Sequence, residues 1–294
     1  WTYALPIIKK ANNRTGAYLN CNPLKGNEIW GTFGISGFKV GCIANLDQAY
    51  VWFYLGKKEK EKNKEAFDVL YAHKDEINKA AGEELKWSRA DDFIASWITK
   101  ELPGVSIGNE QDWPQMAEFL AEWSSKICDA VLPYLIPEGS KEAAFQNVSA
   151  WTREWAINKS DIGFDISNCG RNHARFTTSN MSVILPDLKD TPSDWGTDSH
   201  YFYEIYTMSS GKVLVQLAIN SKNITDEFRA TCDEIQKYYP TLDNSKENWQ
   251  YRVPFKTAVI SFEGLSKEKL FTYLDECLSK ILSFERDLNL MLNG

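Results

Sequence analysis

The fold of this chain is decided by residues 38–55, which read FKVGCIANLDQAYVWFYL. From Phe38 to Ala44, apolar side chains recur at every second position, which is the period of a half-buried strand. The next residues, NLDQ, supply a turn. The aromatic and aliphatic run from Tyr50 to Leu55 is typical of a central strand. The stretch therefore predicts an antiparallel hairpin at the centre of a sheet.

The residues that follow the hairpin predict helices that cover this sheet. Apolar residues spaced three and four apart predict a helix over 59–80, which ends before a glycine. Residues 85–89 and 93–98 are short enough for strands. Asp112 as cap and Pro114 in the first turn mark the start of a second, longer helix.

The second half of the chain repeats this plan. It predicts a hairpin over 201–219, a helix capped by Thr225, strands over 249–253 and 256–262, and a last helix capped by Ser266. Three groups of residues also recur in the same order: Trp30-Gly31-Thr32 with Trp195-Gly196-Thr197, Asp75-Glu76-Ile77 with Asp233-Glu234-Ile235, and Leu120, Glu122, Ser125, Lys126 and Ile127 with Leu274, Glu276, Ser279, Lys280 and Ile281.

These observations predict an α+β fold made of two tandem related copies, residues 1–137 and 145–294. Each copy is expected to hold a mainly antiparallel sheet, in the order strand-strand-helix-strand-strand-helix. Helices must cover one face of each sheet to bury their apolar seams. Such a duplication describes architecture and names no function.

Composition limits the classes of function. The net charge is −7, and neither half is basic: residues 1–145 carry 17 Lys/Arg against 20 Asp/Glu. This balance argues against non-specific nucleic-acid binding, which depends on clustered cations, but leaves room for a local basic groove. No apolar run approaches the ~20 residues that span a bilayer. Six cysteines without a C-x-x-C pair favour a reducing cytoplasm, and we predict no membrane, metal or cofactor.

Several motifs in the first half resemble an uncharacterised bacterial domain family over roughly residues 1–135. The motifs are Trp52-Phe53-Tyr54-Leu55-Gly56, Asn63-Lys64-Glu65-Ala66-Phe67-Asp68, Gly82-Glu83-Glu84-Leu85-Lys86-Trp87 and Asp112-Trp113-Pro114. In the second half, Arg175-Phe176-Thr177-Thr178, Ile184-Leu185-Pro186, Trp195-Gly196-Thr197 and Tyr203-Glu204-Ile205 resemble the region after the catalytic domain of some bacterial PD-(D/E)XK nuclease proteins. The resemblance implies an accessory or recognition part of a restriction or phage-defence system. It carries no catalytic residues over to this chain.

Nuclease chemistry itself has a weak signal. Glu84-Leu85-Lys86 fits the E-x-K pattern, in which a carboxylate holds Mg²⁺ beside a lysine, and Asp47 in the hairpin turn is the candidate for the acid that precedes it, with no convincing second acid in either half. A solvated strand edge is the alternative interpretation. His73 lies on an apolar helical seam, which predicts a hydrogen-bonded core histidine and not a ligand.

Two groups of residues are candidates for nucleic-acid binding. Arg171 and Arg175 lie in a Gly/Asn-rich segment with hydroxyl side chains, and such groups can bind phosphate oxygens. The alternative interpretation is that these arginines pair with Asp161 or Asp165. The second group could stack bases beside cations, or its tryptophans fill the core. It comprises Trp249, Arg252 and Lys256, with Trp87 and Arg89 as counterparts in the first half.

Three functions are consistent with the sequence. The first is a non-catalytic module that binds DNA or RNA in a bacterial restriction or phage-defence protein. The second is a protein-interaction module that docks onto a separate effector, such as a nuclease-type partner. The third is a degenerate PD-(D/E)XK-like nuclease.

Overall fold

The computed structural model describes residues 1–240 and 251–293. The chain divides into two compact units, Trp1–Gln146 (unit 1) and Asn147–Gly294 (unit 2). Helices and two antiparallel sheets make up the fold, which confirms the predicted α+β class. Helix α5 (Lys141–Ile157) begins in the first unit and ends in the second.

Unit 1 contains a sheet whose strands lie in the order β1-β2-β3-β5-β4, each pair antiparallel. Its strands are β1 (Glu28–Gly31), β2 (Phe38–Ala44), β3 (Gln48–Leu55), β4 (Lys86–Ser88) and β5 (Ser96–Pro103). Its helices are α1 (Ala4–Ala11), α2 (Lys60–Tyr71), α3 (Lys74–Ala81) and α4 (Trp113–Leu135). The predicted hairpin is confirmed as β2 and β3, with Phe38 opposite Leu55 and Ala44 opposite Ala49.

Alternation along β3 sends one set of side chains into the core of unit 1. Val51, Phe53 and Leu55 are fully buried and belong to the same apolar cluster as Leu120 and Ile127 of α4. Side chains at the intervening positions point to the opposite face of the sheet, because successive residues of a strand alternate between its faces. The helix α4 therefore covers one face of this sheet only.

Three local predictions for unit 1 were wrong. The helix predicted over 59–80 is broken after α2, and His73, at the break, has 45% of its side chain exposed and stacks on Tyr134. The break occurs because His73 leaves helical geometry, with φ −112° and ψ 22°. Asp112 does not cap α4; its carboxylate accepts from the Ser106 N–H. The strand β1 was not predicted at all.

Unit 2 contains a second sheet in the order β10-β9-β8-β7-β6, with β11 also paired to β9. Its strands are β6 (Gly163–Phe164), β7 (His173–Thr177), β8 (Tyr201–Met208), β9 (Lys212–Asn220), β10 (Tyr251–Lys256) and β11 (Ile260–Ser261). Its further helices are α6 (Ser179–Ile184), α7 (Asp226–Tyr238) and α8 (Lys267–Asn293). The predicted hairpin and the Thr225 cap are confirmed, since the Thr225 hydroxyl accepts from the Phe228 N–H at 3.2 Å.

The two sheets share one path through four strands. In unit 1 the path is β1-β2-β3-β5, and in unit 2 it is β7-β8-β9-β10: a strand, a hairpin, and a strand that returns beside the hairpin after an intervening helix. Leu120 and Leu274, which recur in sequence, are buried in the long helix that follows each path. In contrast, Trp30 lies in β1, whereas Trp195 lies in the segment before β8. The duplication of the two halves stays a prediction.

Two further features concern membrane crossing and the cysteine thiols. Among the helices formed by residues 1–240 and 251–293, none combines the length and apolar character needed to cross a bilayer. The six cysteines are all free thiols.

Candidate functional site

The predicted anion-binding residue Arg175 is held in an ion pair within the unit 2 sheet. Arg175 lies on β7 opposite Glu204 of β8, and its Nε and Nη2 atoms are each 2.9 Å from Glu204 Oε1. The two side chains are only 14% and 11% exposed. The guanidinium also lies 4.8 Å from the centre of the Trp195 ring. Arg175 is thus paired with a carboxylate, as the alternative interpretation held, although the partner is neither Asp161 nor Asp165.

The Arg175–Glu204 pair is part of a polar row that crosses four strands. Glu204 faces Gln216 of β9, whose Nε2 donates to Glu204 Oε2 at 3.1 Å, and Gln216 faces Lys256 of β10. We call these four residues the ionic row. It lies on the face of the sheet opposite α8, because the adjacent residue Tyr203 donates to Glu285 of that helix. Glu204 and Gln216 are thus hydrogen-bonded to each other inside the row, and Lys256 lies exposed at its end.

The second predicted group does not form one surface. Arg252 lies opposite Ile219 and its Nη1 is 2.7 Å from Asp233 of α7, so it points to the helical side of the sheet. Lys256 lies on the other side, because an irregularity in β10 falls between Arg252 and Phe255. Trp249, the predicted stacking residue of this group, lies outside the described residues. Arg252 and Lys256 therefore lie on opposite faces of the sheet.

The remaining predicted cations are also engaged locally. Arg89 of unit 1 donates to both carboxylate oxygens of Asp68, at 2.8 and 3.0 Å, and it pairs with Asp91. The hydrogen bonds that Arg89 donates to Asp68 hold the pKa of Arg89 above its ordinary value. Arg171 of unit 2 lies half-buried just before β7, where its charge adds to burial in lowering the pKa of Arg153 to about 10. These arginines act in local charge networks.

The E-x-K residues do not assemble a nuclease centre. Glu84 precedes β4 and lies 3.6 Å from Lys74, while Lys86, the first residue of β4, pairs with Glu101 at 2.9 Å. Asp47 lies in the β2–β3 turn, two strands away from β4 and at the far end of β3. Among residues 1–240 and 251–293, no cluster of three or more His, Cys, Asp or Glu side chains could hold a metal ion.

A row of aromatic side chains, not predicted from the sequence, lies on the face of the unit 1 sheet opposite α4. Each ring is partly exposed, and neighbouring rings contact one another with centroid separations of 5.4–6.3 Å. The Trp52 and Trp97 rings are nearly parallel, at 16° and 5.7 Å. We call this surface the aromatic face; its members are Trp30, Tyr50, Trp52, Tyr54 and Trp97.

A glycine and a lysine shape the centre of the aromatic face. Gly41 lies between Trp30 and Trp52 in register, and the Trp30 ring lies so close above it that an added Cβ would be 2.6 Å from that ring. Only glycine leaves room for the ring there. The Lys39 ammonium lies 4.0 Å from the centre of the Trp30 ring and 5.1 Å from that of Tyr54. A cation thus lies against the rings, where it can meet an anionic group of a ligand.

The aromatic face could not be recognised from the overall apolar character of β3. Because every residue from Tyr50 to Leu55 is apolar, the run predicts a central strand without distinguishing its two faces. The aromatic residues nevertheless occupy alternate positions of that run, with Val51, Phe53 and Leu55 between them. That alternation separates an aromatic face from an aliphatic core face and would have been the usable signal.

Comparison with known proteins finds a similarity for the part of the chain that bears the aromatic face. No curated protein and no solved structure is significantly similar to the chain. A family model matches residues 1–135, which end with α4 and include every strand of the unit 1 sheet. Residues 1–135 are thus similar to a family described as a domain of unknown function, DUF4268.

Proposed function

We propose that this protein is a non-catalytic binding module, and that the aromatic face of unit 1 binds single-stranded nucleic acid by stacking bases. The carrying observation is the continuous row of partly exposed rings on the sheet face opposite α4. Flat rings on an open antiparallel sheet are a common support for unstacked bases. The accessory role in bacterial restriction or phage defence, implied by the resemblance, is part of this proposal.

Stacking accounts for how an acidic protein binds a polyanion. Each base that stacks on an aromatic side chain contributes about 1–3 kcal/mol, and every base offers a ring face. Lys39 supplies a cation against two of the rings, and Lys86 lies on the same row of residues as Trp52. Binding of this kind depends on rings more than on charge, so the net charge of −7 weakens it without abolishing it.

The test is a titration of the protein with single-stranded oligothymidylate and oligoadenylate, followed by tryptophan fluorescence and fluorescence anisotropy. We expect quenching on binding, and we expect Trp52→Ala to lower the affinity roughly 5- to 100-fold, since it removes the central ring. Tyr54→Ala, on the aromatic face, is a second test variant, and Tyr238→Ala, on α7, is its matched control. Tyr238 is 46% exposed and belongs to the other unit.

The outcomes separate clearly. Loss of affinity in Trp52→Ala and Tyr54→Ala, with wild-type binding by Tyr238→Ala, supports the proposal. Equal binding by all variants, or no binding of either oligonucleotide at low salt, overturns it.

A second candidate function is protein recognition through the same rings. The observation that favours it is the engagement of Arg89, Arg175 and Arg252 by carboxylates, which leaves few cations for phosphate contacts. A separate effector protein would then dock on the aromatic face, because aromatic residues are enriched in protein interfaces. Stable co-purification with the product of a neighbouring gene, lost in Trp52→Ala and accompanied by no oligonucleotide binding, would select this candidate.

A further inference from the structure

A loop next to the aromatic face is held in place by an unusual set of buried contacts. Residues 89–95 connect β4 to β5, and the Lys64 side chain from α2 reaches beneath them. Its ammonium donates to the carbonyls of Arg89, Ala90 and Ala95, at 2.6, 2.9 and 2.8 Å. It also lies 3.0 Å from the Ser96 hydroxyl. Burial lowers the pKa of Lys64, and these acceptors compensate for the desolvated charge.

Two further residues of the same helix hold the loop. Asn63, which is fully buried, donates from Nδ2 to the Ile94 carbonyl at 3.0 Å and to the Lys57 carbonyl at 2.9 Å. Asp68 accepts two hydrogen bonds from the Arg89 guanidinium. The loop is therefore attached to α2 at both ends, mostly through its backbone carbonyls. These are many hydrogen bonds for a connection of seven residues.

What the loop presents is apolar and exposed. Phe93 and Ile94 are 62% and 60% exposed, although nearby residues of the loop are fixed from below. The Phe93 ring meets Trp97 edge-on, with centroids 5.9 Å apart. The row of rings thus continues from Trp30 through Trp52 and Trp97 to Phe93. Arg89 neutralises Asp91 beside it, which reduces the repulsion of an approaching phosphate.

We infer that Phe93 is an additional base-stacking residue at the end of the aromatic face, and that Lys64 is the positioning residue that holds it there. This inference rests on the proposed function and extends the binding surface from Trp97 to Phe93. A base stacks on the open side of Phe93, while the edge contact with Trp97 fixes the ring.

The experiment compares Phe93→Ala with Ile94→Ala in the oligothymidylate titration. The two side chains have nearly equal exposure in the same loop, but only Phe93 offers a ring. We expect Phe93→Ala to weaken binding roughly 5- to 10-fold, the low end for loss of one stacked base, and Ile94→Ala to bind as wild type. An equal loss in both variants would indicate apolar docking and overturn the inference.

Lys64 is tested by a double-mutant cycle. Lys64→Met alone is expected to weaken binding as much as Phe93→Ala, and Lys64→Met in the Phe93→Ala background is expected to add nothing. Additive losses would show that Lys64 acts through general destabilisation. Should Lys64→Met fail to fold, Asn63→Ser tests the same attachment through Ile94.

The inference and the proposed function fail separately. If Trp52→Ala weakens binding and Phe93→Ala does not, the inference is wrong and the aromatic face remains the site. If Trp52→Ala binds as wild type, the proposed function is wrong.

Discussion

Units 1 and 2 contain the same path of four antiparallel strands, yet the rows of side chains that cross those strands differ in chemistry. In unit 1 the row is Trp30, Gly41, Trp52 and Thr99; in unit 2 it is Arg175, Glu204, Gln216 and Lys256. The central charges of the ionic row are satisfied by one another. The rings of the aromatic face retain exposed surface. A ligand can therefore bind the aromatic face of unit 1 without breaking ion pairs between its residues. A ligand of the ionic row in unit 2 would have to replace the Arg175–Glu204 pair.

The largest expected effect comes from breaking the ionic row. Arg175→Ala leaves the Glu204 carboxylate, which is 11% exposed, without its guanidinium partner. Loss of one partner from a largely buried pair costs about 3 kcal/mol or more. We expect urea unfolding of unit 2 to shift accordingly, while oligonucleotide binding by unit 1 is retained. The control is Lys86→Ala, which removes an exposed ion pair with Glu101 and is expected to change stability little.

The next effect concerns the glycine that supports the rings. Gly41→Val places side-chain atoms where the Trp30 ring lies, since a Cβ alone would be 2.6 Å from it. Overpacking of this kind costs about 1–3 kcal/mol, and here the ring is also displaced from the aromatic face. Both the unfolding midpoint and the affinity for oligothymidylate should fall. Unchanged affinity would mean that Trp30 contributes nothing to the surface.

The caps of the helices that follow the two hairpins also differ. In unit 2 the Thr225 hydroxyl caps α7, whereas Glu59 at the start of α2 makes no side-chain cap. Thr225→Ala should therefore destabilise unit 2 by about 1 kcal/mol. Glu59→Ser should stabilise unit 1 by a few tenths to 1 kcal/mol, because it adds a missing cap. Amide hydrogen exchange, read separately for each unit, checks both.

A separate effect, confined to acidic pH, is the pH dependence of unit 2. Burial, with the nearby Arg175, lowers the pKa of His173 to about 4. Because the folded pKa lies below the unfolded value of about 6.5, His173 favours the folded state fully above pH ~6.5. That contribution is lost as pH falls toward 4. His173→Gln should flatten this part of the stability curve, and an unchanged curve would contradict the assignment.

The sequence predicted the hairpins because their alternation and turn residues are local signals. It could not predict the Arg175–Glu204 pair, because that contact depends on the register of β7, in a segment with little periodicity. It also could not predict β1, which has four residues and follows a Gly/Asn-rich stretch. Trp30, at one end of the aromatic face, was therefore missed as a site residue. The basic candidates were chosen by residue type, whereas Arg89, Arg175 and Arg252 each pair with a carboxylate from another element: Asp68, Glu204 and Asp233.

The salt dependence of oligothymidylate binding tests the central claim most directly. For single strands, the logarithm of the binding constant falls with the logarithm of the salt concentration with a slope of about −0.7 per cation engaged. Binding on the aromatic face engages Lys39 and leaves Lys86 paired with Glu101, so the predicted slope is about −0.7, and Lys39→Ala should make it shallower. A slope near −3.5, as five engaged cations would give, would contradict the account and return the site to the arginines and Lys256.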